Sequence, residues 1–133
     1  MIEFKNVSKV YDNGSVALDD VCLTINEGEF VLICGHSGAG KSTLFKLLTH
    51  EVVPDSGTVI VDDFDVTRMK RSKIPKLRRK LGVVFQDFRL LPNKTVSENI
   101  AFALEVIEEK PKIIKEKVSH VLELVGLSDK AND

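Results

Sequence analysis

The chain has 133 residues, with 19 Lys and Arg against 20 Asp and Glu and a formal net charge of −1. This length predicts one domain, and the near-neutral charge argues against a general polyanion binder, which usually carries a large basic excess. No apolar run approaches the about 20 residues that cross a bilayer, and residues 1–5 lack the layout of a signal peptide. Cys22 and Cys34 lie in apolar runs without a CxxC pair, so we expect buried, reduced thiols. The composition predicts a soluble cytoplasmic domain.

The N-terminal part of the chain has the apolar patterns of strands. Apolar and polar residues alternate over residues 2–7 and again over residues 21–25, which predicts two half-buried strands, and a turn follows at residues 26–29. Residues 30–34 are apolar without a break. Such a run is typical of a strand covered on both faces, as in parallel sheets.

The next elements alternate between helix and strand. A Gly-rich loop precedes residues 41–48, where apolar residues at helical spacing predict a helix. A turn at residues 55–57 leads into a predicted strand over residues 58–61. Pro75 is placed as the first-turn residue of a short helix to Lys80. Residues 81–85 then predict a second strand buried on both faces.

The C-terminal part is predicted to be helical. Thr95 and Glu98 have the spacing of a capping box, which predicts a helix from there to about Ile107. Pro111 opens the next helix and Gly126 ends it. Residues 127–133 are expected to begin another element. The apolar stripe predicted for the helix after Pro111 consists of Ile114, Val118, Val121, Leu122 and Val125.

The Gly-rich loop carries the most specific motif of the chain, G-x-x-x-x-G-K-S/T at residues 35–42. Glycines allow backbone conformations in which successive N–H groups converge on phosphate oxygens, and the following helix adds the positive end of its dipole. Lys41 places a cation on the β- and γ-phosphates, and the Ser42 hydroxyl can ligate Mg²⁺. The alternative is an incidental Gly-rich turn. It is disfavoured because a predicted strand precedes the loop and a predicted helix follows it. The loop therefore predicts a nucleoside triphosphate site.

Two further features and the helical segment after them indicate one family of phosphate-loop proteins. The only tyrosine, Tyr11, lies upstream of the loop on a predicted edge-strand turn, and residues 84–87 (Val-Phe-Gln-Asp) end a predicted buried strand downstream of it. In these features the chain resembles the ATP-binding subunits of ABC transporters. Those proteins have an aromatic residue that stacks on adenine, the Walker A loop and the glutamine of the Q-loop. The small nucleotide and metabolite kinases share only the loop.

Longer runs resemble the FtsE group of cell-division ATPases within that family. The matching runs are residues 35–43, 75–79, 84–91 and 95–101. ATP-binding subunits of lipoprotein-releasing and macrolide-export transporters share most of these motifs and remain alternatives. The resemblance implies an α/β P-loop NTPase fold with an antiparallel β subdomain, an incomplete parallel core sheet and the start of the helical subdomain. It places the nucleotide-binding core at residues 1–94 and the helical subdomain, truncated before the signature motif, at residues 95–133.

The resemblance also implies ATP and Mg²⁺ as cofactors and a role for each site residue. Tyr11 would stack on adenine; packing on the edge strand is its alternative. Gln86 would join Ser42 on Mg²⁺ and sense the γ-phosphate, unless it is only an exposed glutamine at a strand end. Residues 88–92 would line a groove that receives a cytoplasmic helix of an FtsX-like integral membrane protein, with packing against the helical segment equally open. The other implied nucleotide contacts are Gly35, His36, Ser37, Gly38, Ala39, Gly40, Lys41 and Thr43.

A basic run over residues 68–80 holds eight Lys and Arg and no acidic residue. The usual meaning of such a run is a solvated face. Contact with anionic lipid headgroups is the functional alternative, and each basic residue there contributes about 1 kcal/mol. No aromatic residues interleave with the charges, which disfavours nucleic acid. His50 and His120 have no partners at metal-ligand spacing, so no transition-metal site is predicted.

Three motifs of the family do not occur in the chain: the Leu-Ser-Gly-Gly signature, the Walker B strand ending in Asp-Glu, and the switch histidine. The Walker B glutamate polarises the attacking water, and a general base contributes about 10²–10⁴-fold. We therefore expect no catalytic residue here and negligible hydrolysis by this chain alone. Because the signature of one subunit caps the nucleotide of the other, the ATP-dependent homodimer of the family is not expected either.

Two hypotheses of function follow. In the first, the chain is an ATP-binding motor subunit on the cytoplasmic face of the plasma membrane that couples ATP binding and hydrolysis to cell division. In the second, it binds nucleotide or occupies a membrane partner without turnover. Phosphate release in the presence of Mg²⁺-ATP separates the two.

Overall fold

The computed structural model describes residues 1–133 and divides into two compact units, Met1–Gly82 and Val83–Asp133. Each unit is defined by the contacts among its own residues. The functional boundary after residue 94, between nucleotide-binding core and helical subdomain, stays a prediction. None of the helices has the length and apolar character needed to cross a membrane.

The first unit is built on a four-stranded antiparallel sheet of β1 (Ile2–Val10), β2 (Val16–Ile25), β3 (Ser56–Val61) and β4 (Phe64–Asp65), in the order β2-β1-β3-β4. The alternating patterns predicted β1 and the second half of β2, and the turn at residues 55–57 predicted β3. Strand β4 was missed because two residues are too few to show a period.

An irregularity in β1 sets which side chains enter the core. Phe4 and Val7 are both buried although they lie an odd number of residues apart, so strict alternation would place them on opposite faces. The pairing of β1 with β2 shifts register between these two residues, and Asn6 between them has φ 48°. Such a bulge turns the strand and returns Val7 to the buried face.

Two helices cover the sheet of the first unit. Helix α1, Lys41–Leu48, buries Leu44 and Leu47, and helix α2, Ile74–Arg78, has Pro75 in its first turn and buries Leu77. Both helices lie where the sequence predicts them. The single core of the unit consists of Phe4, Val7, Leu18, Leu44, Leu47, Val59, Val61, Val66 and Leu77.

The second unit contains helices α3, Val96–Val106, and α4, Pro111–Leu124. The predicted capping box is confirmed, because the Thr95 hydroxyl accepts from the Glu98 N–H at 3.2 Å and the Glu98 carboxylate accepts from the Thr95 N–H at 2.8 Å. Of the predicted stripe on α4, Val118 and Leu122 are buried, whereas Val121 is exposed. A single 3-10 turn, Ser128–Lys130, follows.

The prediction of two strands buried on both faces, at residues 30–34 and 81–85, is wrong for this chain. Residues 30–34 and 81–85 form no strand, and Phe30 and Val84 are 96% and 97% exposed. A strand exists only through hydrogen bonds to a neighbour, and the one sheet of the structure does not include either segment. The apolar runs are present in the sequence, but no other strand lies beside them.

The cysteine prediction is half right. Cys22 and Cys34 are free, as expected, but both are exposed rather than buried. Cys22 lies on an outward position of β2, where its sulfur accepts a hydrogen bond from the Asn6 N–H at 3.3 Å. Cys34 lies in the open segment at residues 30–34, which has no neighbouring strand to cover it.

Candidate functional site

The phosphate-loop motif leads directly into α1, and the start of this helix is uncapped. Gly40 is the N-cap residue and provides no side chain, and the first turn holds no acidic residue. The Thr43 and Leu44 N–H groups donate to the Gly40 carbonyl at 2.9 and 3.2 Å. The N–H groups of Lys41 and Ser42 precede these bonds and have no acceptor within the helix. Free N–H groups at the positive end of a helix dipole are what an anion binds.

Glycine is required at the end of the loop because the loop packs directly on β2. Gly40 has φ 81°, and a Cβ there would overlap the carbonyl oxygen of Ala17 and lie 3.0 Å from Cδ2 of Leu18. The interior of the loop is also narrow. A Cβ on Gly35 would lie 3.0 Å from Cβ of Ala39 and 3.9 Å from Nζ of Lys41.

The Lys41 ammonium is held at the loop by two backbone carbonyls. It donates to the carbonyl oxygens of Gly35 and His36 at 2.6 and 2.7 Å. Phosphate oxygens are stronger acceptors for a cation than neutral carbonyls. His36 is exposed, and its Nδ1 lies 2.7 Å from the Ser37 carbonyl oxygen. The loop thus fits a triphosphate, since it combines a cation, free N–H groups and glycines that keep the backbone accessible.

Tyr11 lies beside Thr43, the residue that follows the motif. Its hydroxyl oxygen is 3.2 Å from Oγ1 of Thr43, so the structure joins two positions separated by 32 residues. The Lys9 ammonium lies 6.0 Å from the centroid of the Tyr11 ring. Tyr11 therefore lies near the start of α1, and stacking of its ring on adenine stays a prediction.

Lys9 is itself fixed by an ion pair with Asp55 at 3.1 Å. The Asp55 carboxylate also accepts the Val10 N–H at 2.6 Å. The Val10 N–H bond first, and then the bond from the Lys9 ammonium, lower the pKa of Asp55 below its ordinary value. This carboxylate ties the end of β1 to the start of β3, just before the turn that carries Tyr11.

Gln86 lies in the second unit on an exposed segment with a tight turn. The Phe88 N–H donates to the Phe85 carbonyl at 3.3 Å, and both Phe88 and Arg89 have positive φ, 56° and 47°. The Arg89 guanidinium lies 3.7 Å over the Phe85 ring. Non-glycine residues with positive φ store strain and persist only where contacts hold them. The predicted role of Gln86 toward Mg²⁺ stays a prediction.

Phe88 and Leu90 are exposed, at 78% and 68%. The alternative that this stretch packs against the helical segment therefore does not hold for these two side chains. Both side chains are therefore accessible to a partner.

Asn99 is a residue that the sequence analysis did not single out. Its amide nitrogen donates to the carbonyl oxygens of Leu91, Lys94 and Thr95 at 3.2, 3.1 and 3.0 Å, and its oxygen accepts the Leu91 N–H at 2.8 Å. One side chain thus fixes residues 91–95 on the first turn of α3. The sequence could have indicated this role, because asparagine is unfavourable inside a predicted helix unless its side chain forms hydrogen bonds with the backbone.

Comparison with known proteins gives one consistent family. The family model described as ABC transporter matches residues 18–133. Cell division ATP-binding protein FtsE of Bacillus subtilis is 53% identical over 131 residues, which are 98% of this chain and 58% of that protein. Methionine import ATP-binding protein MetN 1 of Bacillus thuringiensis is 44% identical over 136 residues, covering 100% of this chain and 40% of that protein.

The solved structures agree with the sequence relatives. The ATP-binding cassette MJ0796, in a dimeric post-hydrolysis state bound to ADP and Pi, superposes with a TM-score of 0.87 at 34% identity and covers 99% of this chain and 60% of that chain. In the sequence comparison, the chain spans 58% of the length of FtsE from Bacillus subtilis. The P-loop fold class predicted from the sequence is confirmed, and the chain belongs to the ABC transporter family.

Proposed function

We propose that this chain binds ATP with Mg²⁺ at the loop of residues 35–43. The observation that carries the proposal is the uncapped start of α1 beside the Lys41 ammonium, which is held only by neutral carbonyl oxygens of the loop. Membership of the family supports it, because ABC ATPases bind ATP, usually with Mg²⁺. Incoming phosphate oxygens would take over Lys41 from the carbonyls of Gly35 and His36.

The remaining side chains have distinct roles in this proposal. Ser42 would ligate Mg²⁺ through its hydroxyl, together with Gln86, and Thr43 would contact a phosphate oxygen. Tyr11 would stack its ring on adenine. When bound, Mg²⁺ neutralises charge on the phosphate groups. The peptide N–H groups of the loop and of the first turn of α1 would orient the triphosphate.

By itself the chain is proposed to bind nucleotide without turnover. None of the hydrogen bonds made by residues 35–43 involves a carboxylate, and the sequence contains no Walker B strand ending in Asp-Glu. Hydrolysis needs a group that activates water, and a positioned base contributes about 10²–10⁴-fold.

The physiological setting proposed is bacterial cell division. The similarity to FtsE supports an ATP-binding subunit of an ABC-type complex, acting with an FtsX-like integral membrane protein at the cytoplasmic face of the plasma membrane. In this proposal, the exposed side chains of Phe88 and Leu90 make the contact with that membrane partner. Methionine import is the second candidate, because a MetN protein is 44% identical over the whole chain.

Nucleotide binding is tested by thermal unfolding of this chain with and without Mg²⁺-ATP, beside the Lys41→Ala variant. A ligand at 100 times its Kd adds about 2.7 kcal/mol, a shift that is readily measured in a domain of this size. We expect stabilisation of the unaltered chain, none for Lys41→Ala, and no phosphate release by either. A cooperative transition that ignores ATP would refute binding, and phosphate release lost in Lys41→Ala would refute the lack of turnover.

The setting is tested with two chimeras. In one, this chain replaces the matching part of Bacillus subtilis FtsE, and in the other it replaces the matching part of MetN 1. Restored division in cells lacking FtsE, without restored methionine import in cells lacking MetN, is the expected result. The reverse pattern would support the second candidate instead.

The basic run is proposed to contact anionic lipid headgroups beside that membrane partner. Arg68, Lys70 and Lys73 line a concave pocket of about 350 Å³ together with Asp63 and Asp65, and the three basic residues are exposed. Reversal of charge in Lys70→Glu/Lys73→Glu should abolish sedimentation with phosphatidylglycerol vesicles. The matched control is Lys112→Glu/Lys115→Glu on α4, which makes the same change in net charge. Equal binding to phosphatidylcholine vesicles would show that anionic lipid is not recognised.

A further inference from the structure

We propose that the Tyr11 hydroxyl is a positioning group for the phosphate-binding residues, separate from any role of the Tyr11 ring. It holds the Thr43 hydroxyl in the orientation that a phosphate oxygen needs. This inference rests on the proposed nucleotide binding and adds to it a contribution to affinity that is independent of the base.

The contact joins a buried hydroxyl to a single partner. Thr43 is 5% exposed, and the oxygen of Tyr11 at 3.2 Å is the only hydrogen-bond partner of its side chain. Burial of a hydroxyl without a partner costs free energy, so this bond fixes the side-chain rotamer of Thr43. Thr43 directly follows Lys41 and Ser42 on the first turn of α1.

Tyr11 is held firmly enough to serve as an anchor. Its N–H donates to the Ser15 carbonyl at 2.9 Å, and its own carbonyl accepts the Gly14 N–H at 2.8 Å. The preceding residues are fixed as well, since Asp55 binds both the Val10 N–H and the Lys9 ammonium. The hydroxyl thus projects from a closed turn rather than from a free loop.

The chemistry of the two hydroxyls gives the bond a direction. In the proposed arrangement the Tyr11 O–H donates to Oγ1 of Thr43, because a phenol is a stronger acid than an alcohol. The Thr43 O–H then remains available to donate to an anionic oxygen. Consecutive hydrogen bonds of this kind strengthen one another. The result is a relay from Tyr11 through Thr43 to a phosphate group, which does not involve the adenine.

A base-free probe separates this relay from stacking. The affinity of the full chain is measured for Mg²⁺-ATP and for inorganic tripolyphosphate with Mg²⁺. Tyr11→Phe keeps the ring and removes only the hydroxyl, and we expect both ligands to weaken by the same factor, about 3- to 10-fold. Tyr11→Leu also removes the ring, and the additional loss should occur for ATP alone.

Thr43→Ala supplies the second arm. In a double-mutant cycle, Tyr11→Phe should have no further effect on tripolyphosphate affinity once Thr43 lacks its hydroxyl. A merely structural effect of Tyr11→Phe would persist in that background. Thermal unfolding of each variant without ligand reports the folded fraction, so that affinities are compared for folded protein only.

Each other outcome overturns the inference. Unchanged affinity of Tyr11→Phe for tripolyphosphate, or a loss confined to ATP, would show that the hydroxyl does not act through the phosphates. Failure of the unaltered chain to bind tripolyphosphate while binding ATP would exclude a base-independent contribution. If the unaltered chain binds neither ligand, the proposed function itself fails, and this result is distinct because it precedes any variant.

Discussion

Replacement of Gly40 by alanine tests the close packing of the loop on β2. Gly40 has φ 81°, and a Cβ would overlap the Ala17 carbonyl oxygen and lie 3.3 Å from the carbonyl carbon. Gly38 is the matched control, because it has φ 82° in the same loop but nothing within 4 Å of its added Cβ. The two variants share the backbone strain and differ only in the clash.

The two variants are expected to differ clearly in their free energies of unfolding. The left-handed conformation costs a non-glycine residue roughly 1–2 kcal/mol, which is the whole effect expected for Gly38→Ala. Gly40→Ala adds roughly 1–3 kcal/mol of overpacking, because the obstructing atoms belong to the backbone of a paired strand and cannot rotate away. We therefore expect Gly40→Ala to lower the free energy of unfolding by about 2–5 kcal/mol in total.

Urea and thermal unfolding followed by circular dichroism measure the difference. In a domain of 60–100 residues, about 1 kcal/mol corresponds to about 4–8 °C in Tm, so Gly40→Ala should unfold at least about 4 °C below Gly38→Ala. The experiment is done without nucleotide, so that loss of binding does not contribute. Equal unfolding free energies of the two variants, within about 0.5 kcal/mol, would refute the contact between the loop and β2.

Three further predictions concern other parts of the chain. Because the pKa of Asp55 is lowered, its contribution to stability is present above the ordinary pKa of 3.8 and is lost as the pH falls through the folded-state pKa. Asp55→Asn should remove that part of the acid-induced loss of stability. If the variant and the unaltered chain lose stability equally below pH 4, the contacts of Asp55 with Val10 and Lys9 are contradicted. Asn99→Ala should cost about 2–4 kcal/mol, since the hydrogen-bond contacts of its side chain with Leu91, Lys94 and Thr95 are lost, and hydrogen exchange at the Leu91 amide should accelerate. Slow exchange at Leu91 in the variant would be inconsistent with the role given to Asn99. Phe30→Ser should change the free energy of unfolding by less than about 0.5 kcal/mol, because the ring is 96% exposed. Leu47→Ala in the core should cost about 2–5 kcal/mol. A comparable cost for both variants would show that Phe30 is covered in solution.

The sequence determined those features that depend on residues close together in the chain. The capping box of Thr95 and Glu98, the first-turn position of Pro75 and the alternation in β1 and β2 act within a few residues. Each of them was therefore predicted close to its observed position, except that β2 begins at Val16 and not at residue 21. The phosphate loop belongs to the same class, because its glycines, its lysine and the helix that follows are contiguous.

Only the tertiary structure decided the features that depend on distant neighbours. The apolar runs at residues 30–34 and 81–85 have the composition of buried strands, but hydrogen bonds from adjacent strands make a strand, and this chain places none beside them. The bond between Tyr11 and Thr43 joins positions 32 residues apart. Composition reports what a segment can bury, whereas the fold decides what lies next to it.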